Sequence, residues 1–102
     1  MAEHPLAAIQ KLDPGIQEFL KFNDEFTYAD GALPKKIKLL IAMAFDAAHG
    51  ADQGVSALAR QALRAGATKG EIVEALRVAY HLSGVGSIYT ASKALKELSE
   101  EN

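Results

Sequence analysis

Apolar residues along this chain recur at helical offsets, and glycine and proline cut the pattern into segments. No stretch alternates apolar and polar at a two-residue period with β-branched enrichment, so no strand is predicted. Residues 5–11 predict a short first helix with Pro5 at its opening position. Asp13-Pro14 reads as an N-cap followed by a first-turn proline. Ile16, Phe19, Leu20, Phe22 and Phe26 then carry one stripe, which predicts a second helix over about 14–27, broken by Asp30-Gly31. Leu33-Pro34 opens a third helix over about 34–48. Its middle, Leu39-Leu40-Ile41-Ala42-Met43-Ala44-Phe45, is apolar all round, the pattern of a helix buried on every side. In a chain this short that predicts a central helix, open to cover by another subunit as well.

His49-Gly50 closes that helix. A fourth is predicted over about 52–65, with Val55, Leu58, Ala59, Ala62 and Leu63 on its stripe and Gly66 as the residue just past its end. Thr68-Lys69-Gly70-Glu71 is a capping-box pattern, in which the hydroxyl accepts from the third helical amide and the glutamate reaches back. Ile72, Val73, Leu76 and Ala79 take a fifth helix to about residue 82. Ser83-Gly84-Val85-Gly86 is a turn or kink, and Ile88, Ala91, Leu95 and Leu98 make a sixth helix before the acidic tail Glu100-Glu101-Asn102. The chain thus reads as all-α, a compact bundle of about six helices in one domain. Residues 1–32 form an N-terminal helical extension that packs on a core of 33–102.

Composition narrows the chemistry. The 102 residues suit one domain, and a net charge of −2 with no basic stripe argues against a nucleic-acid partner. Lys35, Lys36 and Lys38 read as the solvated start of a helix rather than a phosphate site. No apolar run approaches the roughly 18 residues needed to cross a bilayer, and residues 1–7 lack the apolar core of an export signal, so a cytoplasmic location is expected. The absence of cysteine excludes disulfides and thiolate metal sites. The three histidines form no His-x-x-x-His or Glu-x-x-His pair, so neither a metal nor another cofactor is predicted. Gly84-x-Gly86 follows a helix, not a strand, and lacks the third glycine and the lysine of a phosphate loop.

Four segments together resemble the carboxymuconolactone decarboxylase family, which includes the AhpD-like alkylhydroperoxidases. They are Lys38-Leu39-Leu40-Ile41-Ala42-Met43-Ala44; Ala47-Ala48-His49-Gly50; Ala62-Leu63-Arg64-Ala65-Gly66-Ala67-Thr68 with Glu71-Ile72 and Glu74-Ala75-Leu76; and Gly84-Val85-Gly86-Ser87. The resembling segment as a whole spans Leu33 to Leu98, about two-thirds of the chain. The resemblance implies a compact helical bundle that assembles as a trimer or hexamer. It also implies where reactive groups would stand. AhpD-like members carry Glu, then Cys-x-x-Cys, then His, and the flanking residues place those positions at Leu39, Ala51, Gly54 and Leu58. A thiolate is the nucleophile of peroxide reduction and disulfide exchange, and neither alanine nor glycine supplies one. The decarboxylase branch keeps a histidine where this chain has Leu58, so neither known chemistry transfers.

Other polar groups remain. His4 lies close to the N-terminus and carries little weight. His49 ends the central helix, where an imidazole suits the negative end of the helix dipole or serves as a ligand contact or acid/base. Asp46, three residues back, could orient it as a carboxylate orients a catalytic imidazole. Gln53 lies between the two former cysteine positions. His81 stands beside Tyr80 and just before Ser83, as a helix-end cation, a core histidine or a second pole of a pocket. Tyr28, Tyr80 and Tyr89 suit either a cavity wall or ordinary packing. Phe19, Phe22, Phe26 and Phe45 read as core or interface residues.

Three functions stay open at this level. The first is a thiol-independent enzyme acting on a small organic acid or lactone. His49, His81 and Asp46 would do the acid/base work, and Gln53, Tyr80, Ser83 and Tyr89 would line the pocket. The second is a non-catalytic oligomer used for binding or scaffolding, with Leu39 and Leu58 filling the former site. The third is a redox accessory protein that depends on a partner's cysteine.

Overall fold

The computed structural model describes residues 6–101, all of whose regular structure is helical. The helices are α1 Ala7–Leu12, α2 Ile16–Tyr28, α3 Lys35–Ala48, α4 Asp52–Arg64, α5 Lys69–Ser83, α6 Gly86–Ala94 and α7 Lys96–Ser99. Pro5 and His4 lie outside the described residues. Among the described residues no helix is long and apolar enough to cross a membrane.

Local chemistry sets most boundaries. The Thr68 hydroxyl accepts from the Glu71 amide at 3.0 Å, and the Glu71 carboxylate accepts from the Thr68 amide at 2.9 Å, a complete capping box. Past α4, Gly66 takes φ +103° and the Ala67 amide reaches back to the Ala62 carbonyl at 2.9 Å. Past α3, Gly50 takes φ +76° and the Ala51 amide donates to the Asp46 carbonyl at 2.9 Å. Each is a left-handed helix stop that glycine adopts without a Cβ penalty.

Two boundaries depart from the sequence reading. Asp13 ends α1 instead of capping α2, which begins at Ile16 behind Gly15. The Asp13 carbonyl accepts from the Ile16 amide at 3.1 Å, so Pro14-Gly15 forms a turn. The predicted sixth helix is interrupted at Leu95, giving α6 and α7. No proline or glycine stands there, and bonds from the Leu95 amide to Ala91 and from the Ser99 amide to Leu95 run through the interruption.

Helix α3 is the centre of the fold and packs against α4, α5 and α6. Leu39, Met43, Val55, Ile72 and Ser87 are the largest fully buried side chains. Ser87 is satisfied there, its hydroxyl donating to the Gly84 carbonyl at 2.8 Å. The expectation that α3 is buried on every side fails within one chain: Ile41 and Ala48 are exposed, and Phe45 is 62% exposed. Among the described residues no element covers that edge. Helices α1 and α2 contain no fully buried residue. The lysine triplet is tied down at the start of α3. Lys36 pairs with Glu71 at 3.1 Å, and the Lys38 ammonium donates to the Ala29 carbonyl at 2.7 Å.

Candidate functional site

The positions that the resemblance assigns to reactive groups converge between α3 and α4. Leu39 lies in α3, Ala51 just before α4, and Gly54 and Leu58 within it. Leu39 has 0% exposure. Leu58 is half-buried and packs on the core. Asp46 lies seven residues beyond Leu39, about two turns along the same face of α3. Its carboxylate covers the Cα of Gly54, so a Cβ added there would lie 2.8 Å from the Asp46 carboxyl carbon. Glycine at 54 and aspartate at 46 therefore fill one another's space. A side chain at 54 enters only if Asp46 turns away.

A polar cleft of about 490 Å³ opens on the α2 side of this region, with Asp24, Glu25, Tyr28, Asp30, Lys35 and Leu58 among its walls. Tyr28 is half-buried. Desolvation raises the pKa of its phenol above the ordinary 10.0, and the Asp24 and Asp46 carboxylates push the same way. Asp30 is engaged, accepting the Lys35 amide at 2.6 Å. Three carboxylates against one ammonium make this cleft hostile to an anion. Among the described residues no three His, Asp or Glu side chains are grouped to hold a metal.

A second cleft, of about 390 Å³, lies between α3 and α5, walled chiefly by Ile37, Ile41, Ala44, Phe45, Val78 and Leu82. Ser83 is its one polar lining residue, and that hydroxyl donates to the Ala79 carbonyl at 2.6 Å. The surface has no free polar group with which to orient or protonate a substrate. It offers only apolar area.

The sequence-derived candidates fall mostly outside both clefts. His49 is exposed; its Nδ1 sits 2.8 Å from the Phe45 carbonyl and its ring stacks on Phe45 at 6.4 Å. A carbonyl only accepts, so Nδ1 carries the hydrogen. Asp46 does not take the orienting role, because its carboxylate turns toward Gly54 and the imidazole bonds the backbone of its own helix. His81 is exposed on the last turn of α5. Of the four residues read as pocket-lining, Ser83 alone borders a cleft described here; Gln53, Tyr80 and Tyr89 are exposed outside both. Sequence reasoning missed Asp24 and Lys35 as cleft walls, and no local spacing signals them, since the cleft joins α2, the loop after it, the start of α3 and α4. It also missed Val78 and Leu82, although four-residue spacing puts them on one face of α5.

Comparison with known proteins agrees with the all-helical fold. A sequence profile described as the carboxymuconolactone decarboxylase family matches residues 14–97. Among solved structures, the chain is similar to apo-lpg0406, a carboxymuconolactone decarboxylase family protein from Legionella pneumophila. The identity is 30% and the TM-score 0.82, over 93% of this chain and 85% of that one. No curated protein matches the chain.

Proposed function

The chain belongs to the carboxymuconolactone decarboxylase family, and we propose that it is a non-catalytic member acting as a self-assembling binding or scaffold protein. The observation that carries this reading is the filling of the former reactive region. Leu39 is fully buried, and the Asp46 carboxylate occupies the side-chain space of Gly54. Among the described residues neither exposed histidine is hydrogen-bonded to a carboxylate, and His49 bonds the Phe45 carbonyl. The acidic cleft argues against an organic acid as substrate. The chain's surface supports assembly into a homo-oligomer, with a trimer or hexamer implied by the resemblance.

The test is a thermal-shift screen of the purified protein against organic acids, lactones and alkyl hydroperoxides, with His49→Ala and His81→Ala alongside. A ligand that binds the native state raises Tm by mass action. No concentration-dependent rise is expected. A rise abolished in either histidine variant, followed by turnover of that compound, overturns the reading in favour of thiol-independent acid/base chemistry on a small organic acid or lactone.

A further inference from the structure

Helix α2 presents an apolar ridge and an acidic flank side by side. At about 100° per residue, Phe19, Phe22 and Phe26 span an arc of roughly 60°, and Glu18 and Glu25 stand roughly 40–60° further round. Tyr28 and Asp24 continue the turn into the polar cleft, which Asp24, Glu25 and Tyr28 wall from the α2 side. The phenylalanines are 60%, 66% and 75% exposed, and Phe22 and Phe26 stack at 6.2 Å. Their exposed fractions amount to about two whole phenylalanine side chains, on the order of 400 Å². A contiguous apolar patch of that size marks an interaction site. The charge beside it is unanswered. Among the described residues Glu18, Asp24 and Glu25 make no hydrogen bond or ion pair through their side chains. Most of the chain's cations are engaged elsewhere: Lys36 with Glu71, Arg60 with Glu101, Lys93 with Asp52, and Lys38 and Lys69 with backbone carbonyls. Around this face Glu18, Asp24, Glu25 and Asp30 outnumber Lys21 and Lys35.

We propose that this face of α2 docks a basic amphipathic helix of a different protein, with the partner's apolar stripe on Phe19, Phe22 and Phe26 and its flanking lysine or arginine side chains in the polar cleft. This rests on the reading of the protein as a non-catalytic binding module and names the chemistry of its partner. The ridge calls for a helix. Residues spaced by three and four form a straight row about 10 Å long, which the apolar stripe of a second helix matches turn for turn. The flank sets the sign of the partner's charge. A neutral partner covering the ridge takes water from Glu25 and Asp24 and gives no opposite charge in return, and an acidic one is repelled. Lysine and arginine suit the cleft in shape as well. Their aliphatic stems can lie along Tyr28 and Leu58 while the charged head meets Asp24 and Glu25. A second copy of this chain does not offer the same combination: its apolar α3/α5 cleft has no cation among its walls, and its own α2 repeats the acidic flank.

Because the chain has no tryptophan, one tryptophan in a probe peptide reports its own burial by fluorescence. The probe is a synthetic helix of about 18 residues, with leucine and the tryptophan on one stripe and lysine on its flanks. The same peptide with glutamate in place of lysine is the control. The lysine peptide is expected to bind with blue-shifted emission and with an affinity that falls as salt rises, and the glutamate peptide is not. Phe22→Ser and Phe26→Ser should each weaken binding about tenfold. Asp24→Asn combined with Glu25→Gln should weaken it and flatten its salt dependence. All four positions are exposed, so helix content should not change. Val78→Asp, in the α3/α5 cleft, should leave binding as it is. No binding of the lysine peptide, or equal binding of the glutamate peptide, overturns the proposal. Binding lost in Val78→Asp but kept in the α2 variants overturns it too. So does a Phe22→Ser variant that lowers the sedimenting mass while the wild type ignores the peptide, which places a second copy on the ridge. Each of these outcomes leaves the non-catalytic reading standing, since that reading falls only to turnover of a small molecule.

Discussion

Asp46 and Gly54 behave as one unit, and mutating them singly or together should show it. An alanine inside a helix is ordinarily more stable than glycine by about 0.5–1 kcal/mol. Gly54→Ala should bring no such gain in the wild-type background, because its Cβ displaces the carboxylate. It should bring the gain in Asp46→Ala, and denaturant unfolding of the four combinations measures the coupling. Tyr28 gives a second prediction. A phenol whose folded pKa lies above the unfolded value holds its proton more tightly in the native state. It therefore contributes stability that is lost as pH rises from about 10 through the raised value. Asp46→Asn should lower the Tyr28 pKa, read from phenolate absorbance in a Tyr80→Phe, Tyr89→Phe background. Neither relation was legible in the sequence. The i, i+3 spacing of Asp46 and His49 fits a pair, but the carboxylate lies against Gly54 of the next helix, a contact that spacing within α3 does not signal.

At the scale of elements, helix ends decided by nearby residues were legible and ends decided by competition were not. Thr68 and Glu71 form the box their spacing predicts, and Gly50 and Gly66 stop helices as placed. Asp13-Pro14 carried an equally plausible start signal. Gly15 diverted it into a turn, a choice between two local solutions that spacing alone does not rank. Thr68→Ala should cost about 1 kcal/mol by chemical denaturation. The Glu71 carboxyl is held below its ordinary 4.5, first by the Thr68 amide and then by Lys36. A lowered folded pKa gives stability that is present above the ordinary value and lost as pH falls through the lowered one. Glu71→Gln should therefore lose less Tm than wild type on acidification from about pH 5 to 3.

Over the whole molecule, the all-apolar run of α3 identified the central helix, and Leu39 at its heart has no exposed surface. Leu39→Ala should destabilise by about 2–5 kcal/mol, measured at fixed protein concentration because self-association would shift the midpoint. The same run also suggested burial on all sides, which one chain does not provide. An apolar pattern records that a face is kept from water without recording whose atoms keep it so. The polar cleft was invisible for a related reason: its walls come from residues 24 to 61, and only the fold brings them together.

The mutual filling of Asp46 and Gly54 also bears on any attempt to install a thiol there. A cysteine placed at position 54 meets the Asp46 carboxylate in the space its side chain needs. The substitution is accommodated only after position 46 has changed or its side chain has turned. The present rotamer of Asp46 and any side chain at position 54 are therefore alternatives, so the effect of a change at either position depends on which residue stands at the other.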